Sequence, residues 1–517
     1  MRLLMTHGYM LSGSGSNVYV QNLCRALVRK DNEVHLLCQE SHPLDYDFVS
    51  SHHTVDGDTI EEVSSQETDY PGRCAVYSPE IGSLLPVYVY DDYPGWLVKT
   101  FLDLTDEELE NYIDRNAAAV RAVLGASRSR AVVTNHSVPG PLISRRALGG
   151  TGVPYVSIVH GSCLQYVSRR SPGYMALTRE GLKGARNILA LSGHSAGTIV
   201  EDFPDFAGKT ISLPGGVDTK LFSPEALDIP SLESLSGGTG RGPEQTSALE
   251  KLLEPPPESA GELAEGLRTI SASYDARSHD QDAGRRLPDF VEDGSPLIVF
   301  VGKLIHSKGV HSLLSAFARV HHRTGARLLV VGFGTFREAL ETLIRVLGKG
   351  DRHTASLLAS SGRLFEGGED SPMEQFHLTD KLFREAAGME DSVEFIGPLY
   401  HGDLVKLLPA ADVAVVPSIF PETFGLVAAE FAASGVPPFV ANHSGMREAG
   451  AIVGRGLPFD LRVGMENFEE NLTRVLTGYL SLPEEEREEC RRIVRRNSVD
   501  YLGWDTLADK IVDIAGG

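Results

Sequence analysis

Two hydrophobic periods alternate along this chain. Arg2–Thr6 (RLLMT) is a short apolar run that breaks into the polar, glycine-rich HGYMLSGSGS, and Val18, Val20, Leu23, Ala26 and Leu27 then fall on one face of a helix. Glu33–Gln39 (EVHLLCQ) reads as the next strand. Strand, glycine loop, helix and strand make a βαβ unit, which predicts a parallel sheet with a right-handed crossover. The pattern returns in Arg130–Ser137, Pro154–Gly161 and Asn187–Ser195. A second series runs through Pro296–Leu304, Ala326–Gly334, Ser392–Leu399, Asp412–Ser418 and Pro437–Asn442. Each run turns polar or glycine-rich at its C-terminal end, where ligands of open α/β sheets collect.

These series predict an α/β protein of two doubly wound, Rossmann-like domains. The N-terminal domain is expected over 1–222, completed by a C-terminal helix at 498–517 in which Tyr501, Trp504, Leu507 and Ile511 share a face. The other domain is expected over 295–497. Between them, 223–294 carries GGTGRGP, EPPPES and many acids with few paired apolar residues, and reads as a mobile acidic insertion. A second interruption around Gly348–Met389 reads as an extended loop.

Charge narrows the partners. The 517 residues hold 48 Lys and Arg against 70 Asp and Glu, a formal charge of -22. Such a field repels nucleic acid and anionic lipid, and argues against either as the main partner. The 5 cysteines form no C-x-x-C pair, consistent with a reduced chain. No run approaches a membrane span, and the apolar start is too short for a signal peptide, so a cytoplasmic protein is expected.

Four loops carry candidate chemistry. In Pro417–Glu430 (PSIFPETFGLVAAE) a strand ends, a turn presents Glu422, and Phe424-Gly425-Leu426 open a helix bearing Glu430. The amides from Thr423 to Leu426 sit at a helix N-terminus, where phosphate oxygens are stabilised. A capping acid and a surface acid are the plainer alternative. In VGKLIHSKG, Gly302 ends a strand and Lys303 and Lys308 precede a helix, a pairing suited to a diphosphate or to two solvated loop charges. Ser12–Val20 is a loop with Gly13 and Gly15, where a ligand could approach the backbone; Leu213–Pro224 holds Gly215-Gly216, read as a chain reversal.

Together these segments resemble the retaining glycosyltransferases of family four, with the GT-B fold. The resemblance covers most of 1–222 and 295–515, and its most specific part is the E-x7-E element from Glu422 to Glu430. It implies two domains facing across a cleft, the C-terminal one binding a nucleotide-sugar. Glu430 would bind the donor ribose and Glu422 the donor sugar, helped by Thr423, Phe424, Gly425 and Leu426. Lys303 and Lys308 take the places of the family's Arg and Lys diphosphate clamp; Lys at 303 keeps the charge and loses the bidentate fork. Phe395 and Ile396 fall in the segment whose backbone reads the base, and Gly302, Gly332, Gly13 and Gly15 complete the donor set. The family's catalytic-centre histidine maps to His160 in SIVHGS, so His160, Glu422, Lys308 and Lys303 form the expected catalytic group. His136, Tyr174 and Arg179 are candidates for the acceptor.

No carboxylate clearly takes a nucleophile's place, which favours front-face substitution with the leaving phosphate accepting the acceptor's proton. On this reading the chain needs no cofactor and no catalytic metal; the D-x-D triplets at Asp45–Asp47 and Asp56–Asp58 lie away from the donor loops. The expected partners are a nucleotide-sugar and a small hydroxylated acceptor, with a homo-oligomer left open. A nucleotide-sugar epimerase and a silent sugar-nucleotide-binding protein are the rival readings.

Overall fold

Continuous apolar runs such as LIVFV (297–301) and AVVTN (131–135) are buried on both faces, as parallel strands beneath two helical layers must be. The computed structural model describes residues 1–12, 14–89, 93, 95–235 and 237–517, arranged in two compact units. Unit 1 comprises Met1–Gly216 and Leu502–Gly517; unit 2 comprises Val217–Tyr501.

The strands of unit 1 are β1 (Arg2–Thr6), β2 (Glu33–Leu37), β3 (Ser51–Asp56), β4 (Thr59–Ser65), β5 (Arg73–Pro79), β6 (Leu84–Val87), β7 (Leu97–Thr100), β8 (Ala131–Asn135), β9 (Tyr155–Val159), β10 (Ile188–Ala190) and β11 (Thr210–Ser212). Nine of them form one sheet in the order β11-β10-β9-β8-β1-β2-β5-β3-β4, parallel except for the β3/β4 hairpin; β6 and β7 pair separately. The chain leaves β1 toward β2 and returns on the other side at β8, so β1 and β8 flank a topological switch point. Helix Trp504–Gly516 closes one face, burying Trp504, Leu507 and Ile511 against Leu3, Tyr19 and Leu23. Arg29 bonds Asp505 at 2.8 Å across the same contact. Gly216, expected as a simple reversal, lies so close to the Trp504 ring that a Cβ there would meet it at 2.5 Å.

Unit 2 is built on β12 (Leu297–Val301), β13 (Arg327–Val331), β14 (Val393–Phe395), β15 (Val413–Val416), β16 (Pro438–Ala441) and β17 (Arg462–Val463), all parallel in the order β14-β13-β12-β15-β16-β17. Its switch point lies between β12 and β15.

The structure differs from the sequence reading at the connections. Unit 2 begins at Val217 rather than after 222, because Arg495 of helix Glu484–Leu502 holds the carbonyls of Thr219 and Phe222, both at 2.8 Å. The C-terminal element breaks at Gly503, leaving Tyr501 in unit 2 under the Arg455 guanidinium. The supposed mobile insertion carries three helices, Pro243–Leu252, Ala260–Ser271 and Ala283–Val291. Leu249, Leu263, Leu267, Ile270, Leu287 and Phe290 are all buried, each worth about 1.5–3 kcal/mol relative to exposure. Buried charges anchor the same segment: Arg337 grips Asp280 with two 2.7 Å bonds, and Arg286 bonds Asp280 at 2.9 Å. The second interruption is also ordered. His311 Nε2 donates to the Glu374 carbonyl at 2.8 Å and Ser312 Oγ to that of Gln375 at 2.7 Å, fastening it to helix Val310–Thr324.

Candidate active site

At the switch point of unit 2, the loops following β12, β15 and β16 interlock through backbone. Ile419 N donates to Ser307 O at 2.9 Å, and Gly445 N to Glu422 O at 3.0 Å. Two glycines make this approach feasible. Gly309 has φ +68 and lies against the Pro417 carbonyl, and a Cβ on Gly445 would fall 2.0 Å from the Thr423 carbonyl. Helices Val310–Thr324 and Leu426–Ala433 both start here behind glycine N-caps, without a side-chain cap or an acid in the first turn. Their positive ends are thus left for an anion.

Side chains converge on the same place. Lys308 Nζ contacts Glu422 Oε1, which also accepts from Ser418 Oγ at 2.8 Å. His443 Nε2 donates to the Ser418 carbonyl at 2.6 Å, which leaves Nδ1 to accept from Ser444 Oγ at 3.1 Å. Ser444 Oγ in turn accepts from Glu422 N at 2.9 Å, and these bonds hold Ser444 at φ +47. Lys308 and Glu422, expected to hold separate parts of a donor, therefore hold each other. The pair fixes the ammonium in place while neutralising part of its charge. Ser418, His443 and Ser444 were not singled out from the sequence; polar residues just beyond β15 and β16 were the available signal.

The remaining expected donor residues divide. Glu430 lies on helix Leu426–Ala433, and burial pushes its carboxyl up to about 7; His401 Nε2 stands 3.9 Å away. Thr423, Gly425 and Leu426 are partly covered and Phe424 is buried. Lys303 is exposed on the loop after β12. Gly302 N bonds Val331 O at 3.0 Å and Gly332 N bonds Gly397 O at 2.9 Å, locking the ends of β12, β13 and β14 together. A Cβ on Gly332 would overlap the Gly302 carbonyl at 1.8 Å. Ile396 has both backbone groups engaged, N to Val330 O (3.4 Å) and O from Asp280 N (3.0 Å); Phe395 O accepts from Arg286 at 3.2 Å. The base-reading role expected of these backbone groups thus meets a competitor that the sequence did not reveal, the folded insertion.

In unit 1, His160 follows β9 and its Nε2 bonds Asn135 Oδ1 at 3.0 Å. The residue is 5% exposed, and burial lowers its pKa to about 3. His136, just beyond β8, lies beside it with ring centroids 4.8 Å apart. Tyr174 and Arg179 do not join them: the Tyr174 hydroxyl donates to Phe101 O within the core, and Arg179 pairs with Asp205 at 2.9 Å. Gly13 lies outside the described residues. Gly15 opens helix Gly15–Arg29 in open space, so the fold itself does not demand a glycine there.

Two family models match the chain. Residues 14–208 match a "glycosyl transferase 4-like domain", and residues 288–361 and 378–496 match "glycosyl transferases group 1". Together they cover most of both units. The chain belongs to the family-four-like GT-B glycosyltransferases. The matches omit residues 209–287, which hold most of the helical insertion, and 362–377, which hold the segment fastened by His311 and Ser312.

Among relatives of this chain, an uncharacterised glycosyltransferase of Methanocaldococcus jannaschii is 30% identical over 158 residues, 31% of this chain and 30% of the relative. A D-inositol 3-phosphate glycosyltransferase of Corynebacterium glutamicum is 40% identical over 82 residues, 16% of this chain and 19% of that protein. The matched stretches thus span less than a third of these relatives' own lengths. Among solved structures, sucrose-phosphate synthase of Thermosynechococcus elongatus superposes with a TM-score of 0.54 at 16% identity, covering 99% of this chain and 98% of that one. Anabaena Alr3699/HepE in complex with UDP and glucose gives 0.54 at 12%, covering 99% and 98%. These likenesses show the shared fold of two Rossmann-like halves. Among the described residues no helix is long and apolar enough to cross a membrane.

Proposed function

We propose that this glycosyltransferase moves a hexosyl group from a nucleotide-diphosphate sugar to a small hydroxylated acceptor, with retention of anomeric configuration. The observation that carries the reading is the Lys308–Glu422 pair beside two uncapped helix N-termini at the switch point of unit 2. A diphosphate suits that place because helix-end amides and an ammonium both stabilise negative charge. Glu422 steers Lys308 and retains an oxygen for a sugar hydroxyl, and Glu430 offers its carboxyl to the ribose. The complex of HepE with UDP and glucose supports a donor of this class.

The bond from the anomeric carbon to the leaving phosphate oxygen breaks while the acceptor oxygen bonds to the same face. The acceptor's proton passes to the departing phosphate. Lys308 and the helix-end amides stabilise the developing charge, and rate comes from positioning and electrostatics. Neither a metal nor a cofactor takes part in this scheme. The test is incubation with labelled UDP-, GDP- and ADP-sugars and an acceptor panel, with and without EDTA, followed by NMR of the product's anomeric centre. A new glycoside of retained configuration, undiminished by EDTA, is expected. An isomerised sugar would instead establish an epimerase, and binding without turnover a silent protein.

A further inference from the structure

The switch point of unit 1 holds a cavity of about 30 Å³ at the C-terminal ends of β1 and β8. His7, Tyr9, Tyr88 and His136 contribute to its lining, and His136 is the unusual member. Its side chain is buried, with 2% of the residue exposed, and among the described residues neither ring nitrogen has a hydrogen-bond partner. Its backbone is left-handed at φ +69, pinned by His136 N to Ile158 O at 2.7 Å and by Ser157 Oγ to His136 O at 3.0 Å. Among the described residues the Tyr9 hydroxyl and His7 Nδ1 also make no well-aligned hydrogen bond, the backbone of Tyr88 and of Met10 lying nearest to them. Aromatic neighbours hold the His136 ring: Tyr88 at 4.5 Å, His160 at 4.8 Å and His7 stacked at 5.7 Å.

Buried polar groups are ordinarily paired, and left-handed backbone in a non-glycine residue persists where the surroundings enforce it. Here both costs are borne at a switch point, the place where open α/β sheets bind ligands. We propose that this pocket is a hydroxyl subsite in which His136, with Tyr9 and His7, receives one neutral hydroxyl of the acceptor. The inference rests on the transferase reading and deepens it.

Size and charge define what enters. A space of about 30 Å³ admits a water or the end of a hydroxymethyl group and excludes a sugar ring. Burial lowers the pKa of His7 to about 4, pushes that of His136 well down and raises that of Tyr9. The rings are therefore neutral near pH 7; they suit a hydroxyl, which donates to one nitrogen and accepts from the phenol, and give a phosphate no counter-charge. Without acceptor, a water supplies the same hydroxyl.

The test uses the full chain with His136→Phe and Tyr9→Phe, assayed with whichever acceptor the panel yields. The acceptor KM should rise roughly tenfold or more in His136→Phe, and by a smaller factor in Tyr9→Phe, while the donor KM stays within about twofold. Saturation-transfer NMR with glycerol, a neutral polyol whose hydroxymethyl ends fit the space, should show signal that His136→Phe abolishes. Unchanged acceptor kinetics with a raised Tm would mean a dry, sealed pocket, and unchanged kinetics with a lowered Tm a structural water; either overturns the proposal. Should His136→Phe fail to fold, Tyr9→Phe decides alone by the same criteria. If the wild type forms no glycoside with any acceptor, the transferase reading falls, and the glycerol signal alone judges the subsite, its absence overturning it.

Discussion

Glu430→Gln isolates the most perturbed carboxyl among the candidate site residues of unit 2. Its side chain is 17% exposed, and burial raises its pKa from 4.5 to about 7. An acid whose native pKa is raised stabilises the fold below its unfolded pKa and loses that stabilisation as pH rises through the native value. The window is therefore pH 4.5 to 7. A shift of that size corresponds to about 3 kcal/mol once the window is crossed, and residual exposure makes this a ceiling. Glutamine keeps the shape and cannot ionise, so the variant should gain about 2 kcal/mol on wild type between pH 5 and pH 8. Urea unfolding at both pH values measures this. The 2 tryptophans, Trp96 and Trp504, both lie in unit 1, so their fluorescence follows that unit while circular dichroism reports both. The gain belongs in the part of the dichroism transition that fluorescence does not follow. The affinity for a UDP-sugar, whose diphosphate has no group titrating in this range, should rise with pH through about 7 in wild type and stay flat in Glu430→Gln, because a carboxylate accepts ribose hydroxyls more strongly than a carboxylic acid or an amide. Parallel pH profiles for the two proteins would refute the reasoning.

Two further substitutions test unit 2. Lys308→Ala removes the charge beside the two helix starts and leaves Glu422 without its cation; turnover should fall by about a hundredfold or more in the glycoside assay. Asp280→Ala leaves the buried Arg337 to Glu341 and weakens the hold of Arg286, so it should destabilise unit 2 by about 3 kcal/mol and open residues 228–293 to limited proteolysis.

Much of the candidate site's local structure was legible because its signals are local. The run from Pro417 to Glu430 contains a strand end, a turn acid and a helix start, and all three lie where the pattern put them. The insertion was misread because its acids and prolines dominate its composition. Yet Leu263, Leu267 and Ile270 recur at helical spacing and are buried. What covers them belongs to distant parts of the chain, as Arg337 gripping Asp280 across 57 residues shows. The partners of Tyr174 and Arg179 were hidden for the same reason, since Phe101 and Asp205 engage them from other elements.

Periodicity alone determined that the chain forms two parallel-sheet halves, because strand and helix periods are properties of neighbouring residues. It also placed the glycine, lysine and glutamate loops at strand ends. Tertiary structure decided which of those groups meet: that Lys308 and Glu422 hold one another, that Ser444 supports them, and that His136 is shut into an aromatic box with both nitrogens unpaired among the described residues. Pairing and burial depend on residues brought together by strand order, and no local pattern in the chain encodes them.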